Sequence, residues 1–161
     1  MEQIYYFRLV TPEAIPPIRA TNGSAGYDIS SLTSGWVWPF RARLFETGLQ
    51  FFMRPDQNFF CQNRSSVFKR GLIVNNSPCD SDYRWTHDKD GFLEPLTWKL
   101  LVRNVTLLPI KVAKGDRLAQ IVLPNDGYFD WVTNHPGAYN LINGIGWGDA
   151  GRNGGLGSTG K

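Results

Sequence analysis

Apolar and aromatic residues run in short stretches along this chain, each closed by Gly, Pro, Asn or Asp, and that rhythm predicts strands rather than helices. The strand-like runs cover residues 4–10, 27–29, 36–38, 42–46, 49–53, 58–62, 72–74, 96–103, 106–112 and 117–123. Residues 64–70 are the one stretch with helical character, and Gly71 stands where a helix C′ residue is expected. Many short strands at regular spacing mean a β-sandwich or barrel. No internal repeat or coiled-coil heptad breaks the picture. From Pro124 onward the texture turns to Asn, Gly, Asp and single aromatics, too thin in apolar residues to fold alone. That stretch must pack on the body, on a neighbour or on a ligand.

Composition adds a little. A chain of 161 residues is most simply one domain with a core of its own, and its 14% aromatic content suits strands. Seventeen Gly and ten Pro reinforce the expectation of turns over long helices. The formal charge of +3 comes from scattered Lys and Arg, which suits an anionic small ligand and predicts no nucleic-acid partner. Cys61 and Cys79 have neither metal nor redox spacing, so buried free thiols in a reducing compartment are expected. The chain opens without a basic-then-apolar leader, and no apolar run approaches spanning length. The expectation is an intracellular protein of cytoplasm or nucleus, not secreted and engaging no membrane.

Chemistry gathers at residues 75–84. The apolar run 72–74 feeds Asn75-Asn76-Ser77-Pro78-Cys79, a turn, and then Asp80-Ser81-Asp82-Tyr83-Arg84. Strand alternation would turn Asp80 and Asp82 to one face and Ser81 and Tyr83 to the other unless a bulge intervenes. A carboxylate and a ring leaving a turn can serve a small ligand as base and stacking wall, although a solvated surface turn fits the same residues.

Four further patterns share the chain with it. They are Gly23-Ser24-Ala25-Gly26-Tyr27-Asp28-Ile29, then Asn63-Arg64-Ser65-Ser66 running on to Gly71, then Lys114-Gly115-Asp116-Arg117-Leu118-Ala119-Gln120, and the Gly-rich Gly154 to Gly160. Together with 75–84, in this order, they closely resemble the five motifs of the trimeric dUTPase family, and residues 7–21 are similar to its N-terminal lead-in. The resemblance implies an all-β, jelly-roll-like barrel or sandwich of the β-clip type, assembled as a homotrimer with composite active sites. Residues 1–150 would be the β domain, with insertions at about 85–95 and 125–150. Residues 151–161 would be an arm closing over a neighbouring active site.

The same resemblance implies hydrolysis of dUTP to dUMP and pyrophosphate with Mg2+, which clears dUTP from the nucleotide pool and supplies dUMP for thymidylate synthesis. Asp80 is expected to activate the attacking water, a role worth roughly 10²–10⁴-fold. Arg64, Ser65, Ser66 and Gln120 would hold phosphates. Tyr83 would lie against the deoxyribose and reject ribose, and the backbone at Asn76 and Ser77 would read uracil. Asp28 would hold the metal indirectly, through water. In the arm, Arg152, Leu156, Gly157, Ser158 and Thr159 would cover the nucleotide. Residues 155–161 also mimic the start of a Walker A loop, but no strand-like run precedes them, so a P-loop is not expected.

Several positions depart from the family pattern. Gly151-Arg152 reverses the usual Arg-Gly order, Leu156 replaces a Phe, and Asn76-Ser77-Pro78-Cys79 replaces Ala-Gly-Val-Ile. The insertion at 85–95 reads as an extended hairpin or flap. The one at 125–150 carries aromatics that could pack on the body or meet a protein partner. These features leave two alternatives: a dUTPase-derived regulatory module with reduced catalysis, and a relative of dCTP deaminase, whose Arg-Ser-Ser pattern Arg64 to Ser66 also resembles.

Overall fold

The computed structural model of this chain describes residues 3–75, 78–81 and 83–135. The strands in order are β1 (Ile4–Leu9), β2 (Tyr27–Ser30), β3 (Gly35–Val37), β4 (Ala42–Glu46), β5 (Leu49–Phe52), β6 (Phe59–Asn63) and β7 (Leu72–Val74). There follow β8 (Pro78–Cys79), β9 (Trp85–His87), β10 (Leu93–Pro95), β11 (Lys99–Asn104), β12 (Ile110–Val112), β13 (Arg117–Val122) and β14 (Tyr128–Trp131). One helix, α1 (Ser65–Lys69), and a 3-10 turn at Val132–Asn134 complete the described elements. The chain is all-β, as its short apolar runs demand.

The strands form small sheets in the orders β14-β1-β5, β4-β11-β7 and β2-β13-β6-β8, with β12-β3 and β10-β9 as two-stranded pairs. Their inward faces share one core, in which Tyr5, Ile29, Phe45, Phe51, Phe59, Leu100, Leu118 and Ile121 are buried. Period-two alternation is plain in β6, where Phe59 and Cys61 face inward while Phe60 and Gln62 face out. Cys61 and Cys79 are both free and buried, and burial pushes the Cys61 thiol up to about 12. Among the described residues no helix is long and apolar enough to cross a membrane.

Three strand expectations need correction. The run 96–103 becomes a strand only from Lys99, because Leu96 and Trp98 donate their N–H groups out of register, to Arg84 O and Leu49 O. The run 106–112 shortens to Ile110–Val112, because Asn104 Oδ1 accepts from both Thr106 N and Thr106 Oγ1 and curls the chain into a turn. Asp80 and Tyr83 do not continue a strand either. Tyr83 N donates to Asp80 O at 3.1 Å, so they close a turn.

Residues 85–95 form a hairpin, β9 against β10, with Asp88 Oδ1 accepting from Asp90 N and Phe92 N at its tip. β14 went unforeseen. It pairs parallel to β1, from Ile4↔Tyr128 to Phe7↔Trp131, and inserts Phe129 among Tyr5, Phe7, Tyr27, Phe51 and Phe59. These aromatics therefore pack on the body, which is where the thin apolar content of the segment finds its core.

Candidate functional site

The four-stranded sheet builds the site by register. Tyr27–Ile121–Cys61 and Ile29–Ala119–Asn63 lie across β2, β13 and β6 with their apolar side chains turned to the core. The row between them, Asp28–Gln120–Gln62, therefore faces outward. A register shift between Arg117 and Ala119 sets two residues of β13 against one of β2. That bulge turns Arg117 onto the outward face, opposite Ser30 and beside Asp28.

Asp28 is consequently clamped. Arg64 Nε lies 2.7 Å from Oδ1 and Arg117 Nη1 lies 3.2 Å from Oδ2, while the Asp28 side chain is only 6% exposed. Two backbone bonds with Ile18 cover it further. A buried carboxylate is tolerated when both oxygens are paired in this way. Arg64 also donates to Arg117 O at 3.2 Å, which ties the start of α1 to β13.

Above Asp28 opens a cavity of about 210 Å³ lined by Ala20, Ser24, Gly26, Asp28, Arg64, Ser65, Ser66 and Gln120. Five of the residues expected from sequence thus meet at one place, although they come from three separate segments. Gly26 is required there, because a Cβ would collide with the Gln120 side chain and Ile121 O. Val67 and Phe68 N–H both bond Arg64 O, and Ser65 and Ser66 stand exposed at the first turn with Arg64 as N-cap. Hydroxyls, an amide and a guanidinium around a small polar cavity suit a phosphate-bearing ligand. Sequence reading missed Arg117 and Ser24. The signal for Arg117 lay inside a quoted motif, but its aim depends on a bulge that no local pattern announces.

Asp80 and Tyr83 are elsewhere. β8 is antiparallel to β6, with Phe60↔Pro78 and Phe59↔Cys79, so the chain beyond Cys79 runs away from Arg64. Five residues of β6 separate the two ends, roughly 17 Å at strand rise. Asp80 is exposed, and Tyr83 is half-buried with its ring edge-on to Trp98 at 5.3 Å. The segment that follows is pinned by the buried Gln50, whose Nε2 donates to Arg84 O while its Oε1 accepts from Arg8 Nε. Asn76, Ser77, Asp82, Arg152, Leu156, Gly157, Ser158 and Thr159 lie outside the described residues.

The dUTPase family model matches residues 13–136, which include β2, β6, α1, β8 and β13. The chain belongs to the dUTPase family. A deoxyuridine 5'-triphosphate nucleotidohydrolase of Lactococcus lactis is 33% identical over 65% of this chain and 68% of its own. That of Fowl adenovirus A serotype 1 is 32% identical over 75% of this chain and 62% of its own. The matches therefore span about two thirds of the length of these curated relatives. The dUTPase from phage phi11 of S. aureus shares the fold, with a TM-score of 0.61 at 18% identity over 73% of this chain and 87% of that one. This dUTPase-family fold is the jelly-roll-like β architecture that the five motifs implied.

Proposed function

We infer that this chain hydrolyses dUTP to dUMP and pyrophosphate. The observation that carries this reading is the convergence of Asp28, Arg64, Ser65, Ser66 and Gln120 on one small polar cavity. The names of its relatives support the same substrate. Arg64 and the two serines supply charge-assisted and hydroxyl bonds to phosphate oxygens, and Gln120 adds an amide donor. Asp80 takes the proton of the attacking water, within the 10²–10⁴-fold typical of a placed base. Tyr83, its ring held edge-on by Trp98, presents a fixed wall that a 2′-hydroxyl would strike. Asn76 and Ser77 read uracil, and Arg152 with Leu156 to Thr159 cover the nucleotide from the arm.

Mg2+ fits this donor set in one way only. Asp28 is the single carboxylate at the cavity among the described residues, and guanidinium nitrogens already bond both of its oxygens. Its remaining lone pairs suit a water on a metal ion rather than direct ligation. When bound, Mg2+ supplies neutralisation of the triphosphate charge.

The separation of Asp80 from Arg64 supports a composite site. A base must stand within about 3 Å of the proton it takes, and the water within about 3–3.5 Å of the phosphorus. Roughly 17 Å of strand is too far for one subunit to do both beside one triphosphate. A homotrimer with heterologous contacts brings one subunit's Asp80 to its neighbour's cavity. The direct test is pyrophosphate release from dUTP with Mg2+. Turnover of dUTP with dCTP and dTTP left intact is the expected result, and nucleotide binding without pyrophosphate would overturn the reading.

A further inference from the structure

On the sequence, the cations of this chain look scattered; the fold gathers five of them. β3 pairs with β12, with Trp36 directly opposite Lys111, and Asn104 Nδ2 donates to both Val37 O (2.9 Å) and Leu108 O (2.7 Å). Residues 33–45 and 103–115 are thereby brought together, and they hold Arg41, Arg43, Arg103, Lys111 and Lys114 without one Asp or Glu. All five cations are exposed. Among them stand Trp36 (49% exposed), Trp38 (60%) and Phe40 (56%), with Leu107 and Leu108 at the rim.

Strain marks the same spot. Arg41 N donates to Trp38 O at 3.0 Å, which closes a turn with Pro39 second and Phe40 third. Phe40 has φ +57°, the left-handed conformation that this turn position reserves for Gly or Asn. Folding alone would favour glycine here, because an exposed ring in that conformation costs stability and returns little packing. An outlier of this kind points to use of the side chain. Arg103 Nη1 (3.3 Å) donates to Phe40 O, and Arg43 Nη1 (3.3 Å) donates to Trp36 O, so two guanidiniums are tied to the backbone that carries these rings.

We propose that this face binds single-stranded nucleic acid. Bases stack on flat exposed rings while neighbouring cations follow the phosphates, a pairing that needs no sequence-specific contact. Trp36 and Trp38, two apart on an extended segment, offer successive platforms on one side, because Val37 between them is buried. Aliphatic residues alone would suit a protein surface; rings among five cations, with the Asp116 carboxylate at the edge already bonded to Arg70 and Ala113 N, suit bases and phosphates. The face lies by the C-terminal end of α1, where Arg70 bonds Lys111 O, whereas the phosphate cavity lies at its other end. It is thus separate from the phosphate cavity.

The test uses the full chain, a fluorescent oligothymidylate of about 16 nucleotides, a duplex of equal length and polyglutamate. The expected result is saturable binding of the single strand with tryptophan quenching, weakening as salt rises. Trp36→Ala and Trp38→Ala should each weaken it roughly 5- to 100-fold. Phe40→Gly should weaken binding while leaving thermal stability equal or higher, which separates loss of the ring from loss of the fold. dUTP turnover should stay unchanged in all three, so failure here leaves the hydrolytic reading standing. Absence of single-strand binding at low salt, or binding that all three variants retain, would overturn the proposal. So would capture of polyglutamate in preference to the oligonucleotide, which would assign the face to an acidic protein, or a variant-sensitive self-association, which would assign it to a second copy.

Discussion

The two ends of β6 are built in opposite ways. At one end, Asp28, Arg64, Arg117 and Gln120 are set by strand register, a bulge and two ion pairs, all within a single chain. At the other, Asp80 follows a strand of two residues and owes its placement to a turn, to Tyr83 on Trp98, and to the Gln50 bond at Arg84. One half is rigid and preorganised. The other presents its groups outward, toward whatever subunit lies beside it. On the proposed function, this contrast would let a small chain hold a polyanion in one subunit and leave the reactive step to assembly.

The largest effect that separates the halves is expected from Asp80→Asn. It should retain nucleotide binding, because the cavity is untouched, and lose 10²–10⁴-fold in kcat. Titration of a non-hydrolysable dUTP analogue alongside turnover checks both parts, and near-normal kcat would remove Asp80 as the base. Asp28→Asn should act on the opposite half. It strips the shared partner of Arg64 and Arg117 and costs about 2–3 kcal/mol in urea unfolding, below the usual cost for a fully buried pair because Arg117 is half exposed. KM for dUTP should rise as Arg64 loses its orientation.

Gln50→Ala should cost about 1–3 kcal/mol, since Arg8 and the Arg84 carbonyl both lose a buried partner. It should lower kcat more than it raises KM, because it loosens only the Asp80 end. Equal effects on both constants would break the contrast. The smallest effect lies at Asp130, where the hydrogen bond from His135, aided by Asn134 and Trp131 N, holds the carboxyl below the usual carboxylate range. A depressed folded pKa adds stability above the unfolded value of about 3.9, lost as pH falls through the folded one. Asp130→Asn should therefore lower stability slightly at neutral pH, with the difference from wild type disappearing as pH falls below about 4.

Much of this molecule is legible in its sequence. The strands Ala42–Glu46 and Leu72–Val74 were readable residue by residue, and Gly71, with φ +83°, closes α1 as its position promised. The five ordered motifs carried the family and the fold. β14 was hidden because its partner is β1, more than a hundred residues away, and because single aromatics in a Gly- and Asn-rich stretch show no alternation. The clamp on Asp28 was hidden for a related reason. Arg117 reaches it only through a bulge, and pairing register is a tertiary fact. Arg64 was expected on phosphate, and it stands on Asp28, beside the cavity it would serve.

The central claim is that a working site takes its cavity from one subunit and its base from another. Unfolding and refolding an equal mixture of Asp80→Asn and Arg64→Gln chains tests it most directly. Each variant alone should be nearly inactive. In a ring of heterologous contacts, about a quarter of the sites in the mixture join an intact cavity to an intact Asp80, so dUTP turnover should return to about that fraction of wild type. A mixture no more active than its two components would contradict the account.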